Sequence, residues 1–183
     1  ESDFIVHAAG ENIAVDERRF NTVNDDLTES ICESIRSIGK KIPILLASST
    51  QATFDNAYGK SKLNAEIVVQ KFKADTGSPV YIYRLPGVFG KWCKPNYNSV
   101  VATFCHNICH NIPIQVNDPS FKLNLVYIDD VVEEFVRIIQ GQQDNKKELS
   151  VQPEYKIKLG DLATQIELFR ESRNSLISER VGD

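Results

Sequence analysis

The sequence predicts an α/β domain: a parallel sheet with helices on both faces. Three observations carry that prediction. Apolar runs of strand length, such as Phe4-Ile5-Val6, Ile42 to Ala47 and Val80 to Ile82, recur without strict polar alternation, as strands covered on both faces do. Stretches with apolar residues at helical spacing lie between them. Glycine, proline or small polar residues mark the changeovers.

The elements follow in order. Asp3 to Gly10 reads as a buried strand running into a glycine turn. Asn24 to Ile38 has helical spacing in Leu27, Ile31, Ile35 and Ile38, with Gly39 as its stop. Ile42 to Ser49 is a second strand. Asn56 to Ala74 is a long helix with Leu63, Ile67 and Phe72 on one side. Val80 to Arg84 is a third strand, ended by Pro86 and Gly87. A helix over Asn98 to Asn111 precedes a short strand at Ile112 to Val116 and a longer one at Phe121 to Ile128. Asp129 is placed to cap a helix that includes Val131, Val132, Phe135, Val136 and Ile139. Gly141 to Lys147 is polar and reads as a surface loop; Glu148 to Gln152 is a strand and Leu159 to Arg173 a final helix.

The composition limits what such a domain can be. The chain has 183 residues, 42% hydrophobic and 25% charged, enough for one globular domain with its own core. A net charge of −4 with both signs interspersed argues against a nucleic-acid surface. No apolar run approaches the roughly 18 residues of a membrane helix. The first ten residues read as a strand and not as a leader. Cys32, Cys93, Cys105 and Cys109 suggest no disulfide framework, which predicts a cytoplasmic protein. The chain contains no methionine and starts inside a strand pattern, so a segment is expected upstream.

In parallel sheets, ligands sit at the carboxyl ends of the strands. Those ends carry His7-Ala8-Ala9-Gly10, Ser48-Ser49-Thr50 and Arg84 to Gly90. Tyr58 and Lys62 follow near the start of a helix, four positions apart and so on one face. A phenol, an ammonium and a hydroxyl would converge there for proton transfer. Free tyrosine has a pKa of about 10, so work near neutrality asks for a depression of ~3 units, or ~4 kcal/mol. An ammonium ~4 Å away supplies about that much. Lys62 is therefore expected to lower the Tyr58 pKa, and Ser49 to hydrogen-bond the same substrate oxygen.

Other residues have plainer readings. Cys105 and Cys109 share a helix face with Val101 and Ile108 nearby, a packing pattern, and no metal site is expected there. Arg84 reads as the partner of a carboxylate, and Glu133-Glu134 as a solvated face. Trp92 fits either a core or a pocket wall.

The order His7-Ala8-Ala9-Gly10, Asn24, Ser49, Tyr58-x-x-x-Lys62, Arg84-Leu85-Pro86 and Val126-Tyr127-Ile128-Asp129-Asp130-Val131 resembles the extended short-chain dehydrogenases/reductases. Ser48-Ser49-Thr50-Gln51-Ala52-Thr53, the segment Phe89-Gly90-Lys91-Trp92-Cys93-Lys94-Pro95-Asn96-Tyr97-Asn98-Ser99 and Leu159-Gly160-Asp161-Leu162 resemble the capsular-polysaccharide enzymes of the CapF type. The resemblance implies a Rossmann-like parallel sheet whose N-terminal strands are missing from residues 1–183, plus a small C-terminal substrate-binding portion. It divides the chain into a partial NAD(P)-binding region at 1–90 and a substrate-binding portion at 91–183.

The resemblance also implies a function: an NAD(P)H-dependent reductase of a nucleotide-linked keto-deoxy sugar in capsular or surface polysaccharide biosynthesis. The cofactor would be NADP(H), with NAD(H) as the alternative. A homo-oligomer is expected. By position, Tyr58, Lys62 and Ser49 are the catalytic residues. His7, Ala8, Ala9, Gly10, Asn24, Tyr58, Lys62 and Pro86 would lie along the cofactor. Thr50, Gly87, Lys94, Asn96, Tyr97 and Asn98 would lie toward the substrate. The family usually has asparagine where this chain has Gly87, and its glycine-rich phosphate loop does not occur in residues 1–183. Residues 1–183 alone are therefore expected to bind cofactor weakly and to associate through the Asp3 to Ala9 edge. Family members carry a cupin-like epimerase domain downstream. An epimerase or dehydratase using its cofactor transiently, and a truncated non-catalytic domain, are the competing readings.

Overall fold

The computed structural model describes residues 2–12, 16, 18–142 and 149–172. Their elements are, in order, β1 (Ile5–His7), α1 (Arg18–Phe20), a π-type turn (Asn21–Asp26), α2 (Leu27–Ile38), β2 (Ile44–Ser49), a 3-10 turn (Thr50–Thr53), α3 (Ala57–Thr76), β3 (Val80–Leu85), β4 (Gly87–Phe89), α4 (Val100–Cys109), β5 (Lys122–Tyr127), α5 (Ile128–Ile139), β6 (Tyr155–Lys158) and α6 (Leu159–Glu171). They fall into two units: Glu1–Pro86 with Asp130–Gln152, and Gly87–Asp129 with Pro153–Asp183. A single cut at residue 90 is thus not how the chain divides, because residues 130–152 return to the first unit.

The first unit contains a parallel sheet in the order β1-β2-β3. Ile44 and Leu46 pack with Cys32 and Ile35 of α2 and with Ala65, Val69 and Phe72 of α3. Alternation turns Leu45 to the opposite face. On β3, the buried Tyr83 meets Phe135 and donates a 2.7 Å hydrogen bond to Glu134 of α5. Helices therefore cover both faces of this sheet. Local chemistry sets the boundaries of α3. The Asn56 side chain accepts from the Gly59 N–H at 2.7 Å, a helix N-cap. Gly77 ends the helix at φ +67°.

The second unit has a sheet of β4, β5 and β6, parallel between β4 and β5 and antiparallel between β5 and β6. Its core joins Phe104 and Ile108 of α4 to Leu162, Ala163 and Ile166 of α6. Ser99 caps α4 by accepting from the Ala102 N–H.

Several expectations need correction. β1 is shorter than Asp3 to Gly10, and its edge residue Val6 is exposed. The helical run containing Asn24 to Ile38 begins earlier, at Arg18. Leu63 and Ile67 face outward; α3 buries Lys62, Ala65, Glu66, Val69 and Phe72 instead. Two stripes competed on that helix, and the one continuous with the sheet contacts is inside. Val132, Val136 and Ile139 are likewise exposed on α5, which buries Val131 and Ile138. Ile112 to Val116 forms no strand, although Ile114 and Val116 pack on the α4–α6 core.

Asp129 is not an N-cap, because α5 starts at Ile128 directly from β5. Asp129 lies in the first turn and pairs with Lys91 at 2.6 Å. Glu134 is not merely solvated, since it receives the Tyr83 hydroxyl and the Arg137 guanidinium. Leu149 to Gln152 is not a strand; β6 follows it. Glu148, Arg173 and most of the Gly141 to Lys147 loop lie outside the described residues. Cys105 and Cys109 are exposed, and Phe104 and Ile108 carry the packed face. No described helix is long and apolar enough to cross a membrane.

Candidate active site

The first unit brings most of the predicted residues together. α3 presents Tyr58 and Lys62 on one face, and Lys62 Nζ lies 5.8 Å from the centre of the Tyr58 ring. The Tyr58 hydroxyl donates to Asn12 Oδ1 at 3.1 Å. Its ring meets Phe20 edge-on. Ser49, the last residue of β2, accepts from the Gln51 N–H at 3.1 Å, and its hydroxyl lies near enough to the phenol to favour the ionised form. Thr50 follows it, exposed, in the 3-10 turn.

A buried network stands behind the pair. Asn24 donates to Ser61 Oγ at 2.9 Å, and Ser61 donates to the Tyr58 carbonyl at 2.8 Å. The Glu11 N–H donates to Asn24 Oδ1 at 3.0 Å. Thr28 gives its proton to the Asn24 carbonyl at 2.5 Å. Its oxygen must therefore accept from His7 Nε2, 2.9 Å away, which assigns His7 the tautomer protonated at Nε2. His7 is held below the ordinary histidine value, first by burial and then by the Lys62 charge.

The electrostatics overturn one expectation. The Tyr58 pKa is raised, not lowered: burial raises it, and the Ser49 hydrogen bond offsets part of the rise. The phenol therefore keeps its proton through neutral pH. Lys62 itself is pulled below the usual lysine value by burial. The ammonium sits beside the ring and reaches toward Gly10 and Asn24.

These residues fit a nicotinamide cofactor. A Cβ at Gly10 would lie 2.7 Å from Lys62 Nζ and 2.9 Å from Asn24 Oδ1, so a larger residue here would push aside the ends of those two side chains. Lys62 is almost fully buried and, among the described residues, no carboxylate acts on it. Its donors remain available for hydroxyl acceptors such as a ribose diol. Ala8 and Ala9 lie exposed between His7 and Gly10, and Pro86 follows β3. No group of three metal-ligating side chains occurs among the described residues.

Arg84 has the carboxylate partner its sequence position suggests: it grips the buried Glu66. In the second unit, Lys94, Asn96, Tyr97 and Asn98 are not buried, with Lys94 Nζ 5.9 Å from the Tyr97 ring centre. Trp92 is 99% exposed at φ +66° and is no core residue. Gly87 packs closely on β5; a Cβ there would lie 2.9 Å from Leu125 Cδ2 and 3.2 Å from the Asn124 carbonyl oxygen. Sequence reasoning missed Asn12, Thr28, Ser61 and Glu66. Ser61 had a signal, its place between Tyr58 and Lys62; Asn12 had none. An apolar hollow lined by Ile5, Ile31, Ile35, Ile38 and Ile42 holds none of the chemistry.

Residues 1–152 match the NAD dependent epimerase/dehydratase family. Over 180 residues the chain is 52% identical to a UDP-2-acetamido-2,6-beta-L-arabino-hexul-4-ose reductase of Pseudomonas aeruginosa, covering 98% of this chain and 48% of that protein. The capsular polysaccharide assembling protein CapF from Staphylococcus aureus superposes with a TM-score of 0.80 at 41% identity, over 94% of this chain and 46% of that one. The UDP-glucuronic acid 4-epimerase from Bacillus cereus, in complex with NAD, gives 0.80 at 17% identity, over 92% and 60%; it speaks to the fold alone. The chain spans about half the length of the first two relatives. With a Rossmann-like sheet, a Tyr58–Lys62 helix and a match over residues 1–152, the chain belongs to the NAD dependent epimerase/dehydratase family.

Proposed function

We propose that this chain is the reducing part of an enzyme acting on a UDP-linked keto-deoxy sugar in capsular or surface polysaccharide biosynthesis. The observation that carries the chemistry is a proton-holding phenol beside a hydroxyl and a buried ammonium. The name of the 52%-identical relative supports the substrate class. When bound, the reduced nicotinamide supplies hydride to the carbonyl carbon; NADPH is assigned ahead of NADH by the family resemblance. Tyr58 donates its proton to the carbonyl oxygen. Ser49 orients that oxygen, with Thr50 beside it.

Lys62 holds the ribose hydroxyls, and His7, Ala8, Ala9 and Gly10 border the cofactor. Asn24 steadies this border from behind, and Pro86 approaches the nicotinamide. In the second unit, Gly87, Lys94, Asn96, Tyr97 and Asn98 are assigned to the nucleotide sugar. Four cysteines, all free, support a cytoplasmic setting. The family also contains epimerases and dehydratases, which would return the hydride to the sugar; net cofactor oxidation separates the readings.

Tyr58→Phe in the full protein should lower turnover by roughly 10²- to 10⁴-fold while the circular dichroism spectrum is kept. Turnover within about threefold of wild type would remove Tyr58 from the mechanism.

A further inference from the structure

Two rows of side chains run up the α2–α3 face of the first sheet. They are Ile44, Leu46 and Ser48 on β2, and Val80, Ile82 and Arg84 on β3, with Ser48 in register with Arg84. The first two residues of each row pack in the apolar core. Both rows turn polar at the carboxyl end of the sheet, and Glu66 of α3 meets them there.

Glu66 is 2% exposed. It accepts from Ser48 Oγ at 2.5 Å, from Arg84 Nε at 3.0 and 3.2 Å, and from Arg84 Nη2 at 2.7 Å. A row of apolar residues would close this layer without desolvating a carboxylate. The forked contact supplies direction that apolar packing lacks. Glu66 also lies one turn beyond Lys62 and two beyond Tyr58 on the same helix face, and Ser48 precedes Ser49. One carboxylate thus ties together the helix carrying the acid and lysine and the strand carrying the hydroxyl.

We propose that Glu66 is a positioning residue for the Tyr58–Lys62–Ser49 group, locking α3 in register against β2 and β3 through Ser48 and Arg84. The role rests on the reductase reading above. A shift of about 1 Å from a residue outside the chemistry can cost ~10²-fold in rate.

The test uses the full protein with Glu66→Gln, which keeps the shape of the side chain, and Ser48→Ala, which removes one contact. Glu66→Gln should lower kcat by roughly ten- to a hundredfold and leave KM for the nucleotide sugar within about twofold. Ser48→Ala should show the same split to a smaller degree. The Tyr58 phenol, followed by ultraviolet titration against the matching Tyr58→Phe protein, should ionise at lower pH once α3 loosens and water enters.

A folded Glu66→Gln protein with unchanged kcat and only a lower melting temperature would reduce Glu66 to a structural residue and overturn the proposal. Should Glu66→Gln not fold, an unchanged kcat in Ser48→Ala would overturn it equally. If the wild-type protein reduces no nucleotide sugar, the reductase reading fails by itself. The phenol titration then decides on the lock, and an unmoved Tyr58 titration in the folded Glu66 or Ser48 variant would overturn it.

Discussion

The region around Tyr58 and the segment from Gly90 to Asn98 both carry residues assigned to ligands, and they are built in opposite ways. Around Tyr58, side chains are buried and joined by a chain of hydrogen bonds from His7 through Thr28 and Asn24 to Ser61. In the second segment most side chains are exposed. The backbone enters positive φ at Gly90, Trp92 and Asn96, which is uncommon for a bulky side chain such as that of Trp92. Its fastenings include Lys91 to Asp129 and the Asn96 N–H to Thr103 Oγ1 at 2.9 Å. On the proposed reading, proton transfer needs fixed geometry, which a packed layer supplies, and gripping a charged, hydroxyl-rich ligand needs accessible donors, which the second segment offers. Changes in the first region should therefore alter turnover and stability, and changes in the second should alter substrate affinity alone.

Lys62→Met probes the packed region most severely. Loss of charged hydrogen bonds to the ribose should weaken NADPH binding in the full protein by about 10- to 150-fold, measured by cofactor fluorescence. It should also raise the His7 pKa, followed by proton NMR, because the Lys62 charge is one of the two causes holding it down. A His7 titration that does not move would separate these two residues. Gly59→Ala comes next. A Cβ there would lie 2.4 Å from the Gln51 carbonyl oxygen and 2.5 Å from that of Phe54, so chemical unfolding should show a loss of about 1–3 kcal/mol. Wild-type stability would mean that the 3-10 turn yields freely.

Lys94→Ala tests the exposed segment. KM for a nucleotide sugar should rise about two- to fivefold, with kcat kept and KM for a short keto compound unchanged. A matching change for both substrates would take Lys94 away from the nucleotide. The smallest effect belongs to His7 and acid. Its pKa is lowered in the folded protein, so its contribution is present above about 6.5, the unfolded value, and is lost as pH falls through the folded value. Denaturation curves between pH 7 and 5 should flatten in His7→Gln relative to wild type. Identical slopes would show that other groups set the acid response.

The fold was legible where periodicity and punctuation agreed. β2 and β3 lie within two residues of their expected bounds, and α3 is marked by Asn56 and Gly77. Tyr58 and Lys62 were legible because a spacing of four puts two side chains on one helix face. Their electrostatics were not, since the direction of the Tyr58 shift depends on where the ammonium ends up and how deeply the phenol is buried. Glu66 was hidden for the same reason: nothing near it in sequence reveals a partner at Arg84. Leu63 and Ile67 misled because two apolar stripes fit one helix, and long-range packing chose between them. β6 was missed because Tyr155-Lys156-Ile157-Lys158 reads as polar chain until β5 supplies its antiparallel partner.

Cofactor stoichiometry distinguishes net reduction from transient use of the nicotinamide. The full protein is incubated with NADPH and a UDP-linked 4-keto-deoxy sugar, and absorbance at 340 nm is followed beside product analysis by mass spectrometry. One NADPH should be oxidised for each sugar gaining two hydrogens, with the rate collapsing in Tyr58→Phe. Conversion of the sugar without net NADPH loss, or NADPH loss that Tyr58→Phe leaves intact, would contradict the proposed reduction.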